Sequence, residues 1–112
     1  MNALLVSTRD PDARVRQEAV TALGRIPFTG TAARDVTIRL REIARSDTSL
    51  IVRGAALAGD IRLEKNAAIP LAKQLMGDNV WQDVIRGPAI AALKEVATPE
   101  ALALVQQYAP AQ

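Results

Sequence analysis

The sequence predicts an all-α fold: a short right-handed α-solenoid of about three helical pairs, about seven helices in all, with residues 1–112 forming one domain. Three observations lead there. Apolar residues recur at steps of three and four along most of the chain, and no stretch alternates as a strand would. The 49% of residues that are apolar include only three aromatics, Phe28, Trp81 and Tyr108, so the core must be Ala, Leu, Val and Ile, which suits closely packed helices. Finally, one stretch of the chain occurs three times.

The elements follow in order. Asn2 to Ser7, with apolar Ala3, Leu4, Leu5 and Val6, reads as half a pair. In Asp10-Pro11-Asp12 the carboxylates can accept from the free N–H groups that open a helix near 12–25. Pro27 to Gly30 is a turn. Thr31 to Arg45 places Val36, Leu40, Ile43 and Ala44 on one helical face. Asp47-Thr48-Ser49 opens a helix near 49–61, and Glu64 to Met76 is expected to be helical with Ala68, Leu71, Leu75 and Met76 inward. Asp78-Asn79 precedes a helix near 83–96. Pro88 lies inside that pattern, where its missing N–H should kink the helix or mark its true start. Thr98-Pro99-Glu100 reads as cap, first-turn proline and an acid at the positive end of the dipole. The helix it opens carries Leu102, Val105 and Tyr108.

The repeat lies in the second helix of each pair. A β-branched residue precedes Arg in Val15-Arg16, Val52-Arg53 and Ile85-Arg86. Three residues after each Arg comes Ala (Ala19, Ala56, Ala89), then a large aliphatic (Val20, Leu57, Ile90) and, two further on, a small residue (Ala22, Gly59, Ala92). From Arg16 to Arg53 is 37 residues and from Arg53 to Arg86 is 33. A single pair cannot bury its apolar face, whereas stacked pairs share one continuous core. Ala19, Ala56 and Ala89 are the expected points of close helix approach. The same register leaves Gln17, Thr21, Ala58 and Ala91 away from the core, on a concave face lined by the second helices.

These residues resemble the HEAT-repeat family. An Asp in the turn and an Arg six residues later, as in Asp10 to Arg16 and Asp47 to Arg53, followed by Ala and an aliphatic, looks like the second helix of a HEAT repeat. Ala68-Ile69-Pro70-Leu71 through Leu75 and Gly77-Asp78 resembles the first. The third copy departs by two extra residues between Asp78 and Arg86, and Asp60 stands where Leu23 and Leu93 do. The periods are also shorter than the roughly 40–47 residues of HEAT and armadillo arrays. A narrower likeness, in residues 81–87 and 98–102, is to the HEAT-like C-terminal region of some bacterial M1-type metallopeptidases. That family's His-Glu-x-x-His zinc motif has no counterpart, because the chain contains no His.

Composition narrows the chemistry. Without His or Cys, the commonest general base, thiol nucleophile and soft metal ligands are all missing. No phosphate loop, dinucleotide fingerprint or Ca²⁺ loop occurs. The chain is therefore read as no enzyme, with no catalytic, metal or cofactor-binding residue and no cofactor. Arg16, Arg53 and Arg86, with Ala19, Ala56 and Ala89, are read as structural repeat positions, each Arg tying a cap Asp or a helix C-terminus. Candidate partner-binding residues are Gln17, Thr21, Arg34, Arg39, Arg41 and Trp81. The first two lie on the concave face, the arginines on a basic helix, and Trp81 near a turn.

The expected function is a non-catalytic helical-repeat scaffold, a protein-protein interaction module. Its partner would be another protein or the rest of a parent chain, since Leu4 to Val6 and Leu102, Val105 and Tyr108 present apolar ends that favour self-association into a homo-oligomer. One alternative is an accessory C-terminal domain of an M1-like zinc aminopeptidase. Another is a weak nucleic-acid-binding module, although the net charge is only +2 and the basic residues lack interleaved aromatics. No run approaches the roughly 20 apolar residues that span a membrane. A soluble, cytoplasmic protein is expected, with the absence of Cys equally compatible with the periplasm.

Overall fold

A computed structural model describes the backbone of residues 2–77 and 82–108. Among them there are seven α-helices: α1 Asn2–Ser7, α2 Ala13–Arg25, α3 Gly30–Ser46, α4 Leu50–Glu64, α5 Ile69–Met76, α6 Gln82–Val96 and α7 Pro99–Tyr108. A 3-10 turn, Lys65–Ala68, joins α4 to α5, and no strand occurs among the described residues.

The helix starts follow from their caps. Asp12 accepts from the Arg14 N–H at 2.9 Å, Ser49 from the Val52 N–H at 3.3 Å and Thr98 from the Ala101 N–H at 3.1 Å. Each satisfies one of the donors that a helix start leaves open. One boundary differs from the sequence expectation. Glu64 closes α4 instead of opening the next helix, and α5 begins only at Ile69. Lys65 takes φ 53°, which turns the chain, and Pro70 has no N–H to continue a helix running in from Glu64. Pro88 marks no boundary, because α6 runs through it from Gln82 to Val96.

The architecture is organised on α4, which packs against α2, α3 and α6. Next to it, α1 lies against α2, α5 against α6, and α7 against α6 and α5. One hydrophobic cluster runs through the whole, from Val20 and Leu23 of α2 to Ala101, Leu104 and Val105 of α7. Ala19, Ala56 and Ala89 are all buried. From Ala56 to Ile61, six successive residues of α4 are buried, so that stretch has no solvent face. Ala58, expected to point away from the core, is one of them, because α4 has neighbours on several sides. Ala91 and Thr21 are exposed.

Glycines set how closely α4 approaches its neighbours. A methyl group on Gly24 of α2 would lie 2.6 Å from the Gly59 Cα, so the two backbones touch directly. On the other side, a methyl on Gly54 would lie 2.9 Å from the Val84 carbonyl oxygen. That carbonyl lies four residues before Pro88, which has no N–H to offer it. The interhelical contact thus falls where Pro88 withholds the usual i+4 donor from the Val84 carbonyl.

The last helix buries Val105 and part of Tyr108 as expected, but its inward face is rotated away from Leu102. Ala101, Leu104 and Val105 are inward and Leu102 is exposed, because α7 packs on α5 and α6 at once.

Candidate functional site

Because α2, α4 and α6 lie side by side, their outer surfaces form a groove of about 360 Å³. Its walls and floor are Gln17, Thr21 and Arg25 from α2, Ile51, Ala55, Ala58, Gly59 and Arg62 from α4, and Val84 and Pro88 from α6. The spacing of four residues along α2 and along α4 brings one face of each helix into it. The floor is shallow because Ala55, Ala58 and Gly59 are small. Ile51 and Val84 stand open to solvent at 57% and 38%, an apolar cost that an isolated surface does not recover.

One end of the groove is charged. Arg25 closes α2 and Arg62 lies near the end of α4, and both reach Glu95 of α6. The Arg25 Nη1 donates to Glu95 Oε1 at 3.4 Å, and Arg62 Nε donates to Glu95 Oε2. The hydrogen bond from Arg62, with the two positive charges behind it, holds the Glu95 carboxyl below its ordinary value. Glu95 does not line the groove, whose charged lining residues are both cations.

A second cluster lies between α3 and α4. Asp60 is fully buried, with Arg41 Nε 3.5 Å from its Oδ2, and the same guanidinium contacts Glu64 Oε1. At 3.5 Å the Arg41–Asp60 contact is ionic without hydrogen-bond geometry, and as carboxylates the two acids leave buried oxygens without a donor. A proton on Asp60 supplies one toward Glu64. Burial above all, then the Glu64 hydrogen bond and charge, push the Asp60 carboxyl up to about 8 against the pull of Arg41. At neutral pH Asp60 is then a neutral acid beside the Arg41 guanidinium. Asp60 lines none of the described grooves, while Arg41 and Glu64 reach solvent at the edge of the cluster.

The repeated arginines are each tied inside the chain. Arg16 forks onto Asp47 with two bonds of 3.1 Å and also donates to the carbonyls of Asp10 and Pro11. Arg53 Nε donates to the Ala44 carbonyl at 2.8 Å and Arg86 Nε to that of Met76 at 2.6 Å, in each case at the end of the preceding helix. Arg86 also lies 4.7 Å from the centre of the Tyr108 ring.

The candidate partner-binding residues are dispersed. Gln17 and Thr21 line the groove. Arg39 is turned inward, donating to Thr8 Oγ1 at 3.0 Å and to Glu42 at 3.3 Å, and Arg41 is held by Asp60 and Glu64. Arg34 is exposed, and Trp81 lies outside the described residues. Sequence reasoning missed Ile51, Arg62 and Val84, which line one groove only because α4 packs against both α2 and α6. The signal for Asp60 was visible as a charge in a position held by Leu23 and Leu93 in the other copies.

No protein-family model matches the chain, and comparison with curated proteins and with solved structures finds no similar relative.

Proposed function

We propose that the chain is a HEAT-like helical-repeat module, a short solenoid in which α1/α2, α3/α4 and α5/α6 are successive pairs, and that it works as a non-catalytic scaffold for a protein partner. Support for the repeat reading comes from the adjacency of α2, α4 and α6, the three helices that carry the repeated Arg and Ala. The observation that carries the interaction reading is the groove these helices share, with Ile51 and Val84 open to solvent inside it. The basic helix α3 offers less, because Arg39 and Arg41 are spent on partners within the chain.

Selection of helical peptides from a random displayed library tests this, with an Ile51→Glu/Val84→Glu variant as counter-target. Both positions are exposed, so the variant keeps its fold, as circular dichroism will show. Selected peptides should lose roughly tenfold or more in affinity on the variant. Peptides that bind both proteins equally would move the interaction elsewhere. Fluorescence anisotropy with random duplex DNA at two salt concentrations tests the nucleic-acid alternative: salt-sensitive binding would favour it over the scaffold reading.

A further inference from the structure

We propose that the groove takes an amphipathic helix whose aliphatic face is followed, two to three turns on, by an acidic side chain seated between Arg25 and Arg62; this rests on the docking reading above. The groove changes character along its length. At the N-terminal side of α4 and α6 it is apolar, with Ile51 and Val84 exposed over small residues. From Ile51 to Arg62 is eleven residues of one helix, about 16 Å at 1.5 Å per residue. At that far end the lining carries two guanidinium groups and no carboxylate.

Glu95 meets only part of that charge. It lies outside the lining and accepts one nitrogen from each arginine, Nη1 of Arg25 and Nε of Arg62. Two cations on one carboxylate leave the end of the groove with a net positive charge. Each guanidinium has five N–H donors, so both retain donors for an arriving carboxylate. A wholly apolar partner would cover that charge without replacing its water, and a basic one would be repelled. An acidic side chain answers both problems. The trough of small residues between neighbouring helices suits the ridge that residues at three- and four-residue spacing make on a helix.

The library selection, sequenced for composition by position, tests this. Enrichment of Asp or Glu two to three turns from the enriched aliphatic positions is expected. Replacing that acid by its amide should weaken binding roughly three- to fivefold, the upper part of the range for a solvent-accessible ion pair, since two arginines face it. The penalty should vanish on an Arg25→Gln/Arg62→Gln variant and shrink in high salt. Selected helices that depend on Ile51 and Val84 but carry no acid, or bind the arginine variant as well as the native chain, would overturn this inference and leave the docking reading standing. No groove-dependent helix at all would overturn both. A concentration-dependent dimer abolished by Ile51→Glu would assign the groove to a second copy and overturn the proposed occupant.

Discussion

Asp60→Asn is the most informative single change. Asp60 is fully buried, and its carboxyl is raised from the ordinary 3.8 to about 8, first by burial and then by Glu64. Between those two values the folded chain holds a proton that the unfolded chain has released. Unfolding then gives up a proton, so the contribution of this site to stability is highest below about pH 4, falls as pH rises, and levels off above about pH 8. Four units at about 1.4 kcal/mol each set a ceiling on the order of 5 kcal/mol, a large part of the typical stability of a domain. An asparagine keeps the shape and a donor toward Glu64 but cannot ionise. The variant should therefore be more stable than the native chain at pH 7 and above, by roughly 2–4 kcal/mol, and the two should converge near pH 4. The assay is urea unfolding of both proteins at intervals from pH 4 to pH 9. Taking the difference cancels other titrating groups such as Glu95, whose lowered carboxyl works in the opposite direction, adding stability that is lost as pH falls. A stability difference that does not change with pH would refute the reasoning, and so would an Asp60 carboxyl resonance already ionised at pH 6.

Three further changes probe the packing. Gly24→Ala drives a methyl to 2.6 Å from the Gly59 Cα and should cost roughly 1–3 kcal/mol, read as a drop of at least about 4 °C in Tm; Gly87→Ala meets nothing within 4 Å and should be neutral or stabilise by up to about 1 kcal/mol, so equal effects would undermine the proposed contact. Ala56→Leu, at a fully buried position of the central helix, should also cost roughly 1–3 kcal/mol, and unchanged thermal unfolding would place Ala56 at the surface. Arg16→Ala strips Asp47 of a two-bond partner where both side chains are mostly buried; a loss of roughly 1–3 kcal/mol in denaturant unfolding is expected, and a loss below about 0.3 kcal/mol would reduce the pair to a surface ion pair.

What could be read in the chain was whatever depends on near neighbours in sequence. The caps at Asp12, Ser49 and Thr98 and the inward faces of α2 and α3 follow from spacing and side-chain chemistry within a few residues, which is how helix starts and stripes are set. The join at Glu64 was less legible, because a proline at the start of α5 and a residue of positive φ override a run of apolar spacing. Beyond these, the outcome depended on how many helices surround each element. Helix α4 has α2, α3 and α6 around it, so its residues from Ala56 to Ile61 are buried whichever way they point, Ala58 and Asp60 included. That is why a charge standing in a leucine's place became a buried acid beside Arg41, an arginine that spacing alone would leave in solvent. The groove arose in the same way: Arg25, the Ile51–Arg62 face of α4 and Val84 belong to three helices, and packing these through the contacts at Gly24, Gly59 and Gly54 brings them onto one surface. A helix can specify which of its faces is apolar, but what covers that face is set by distant partners, whose approach depends on backbone contacts that no local pattern encodes.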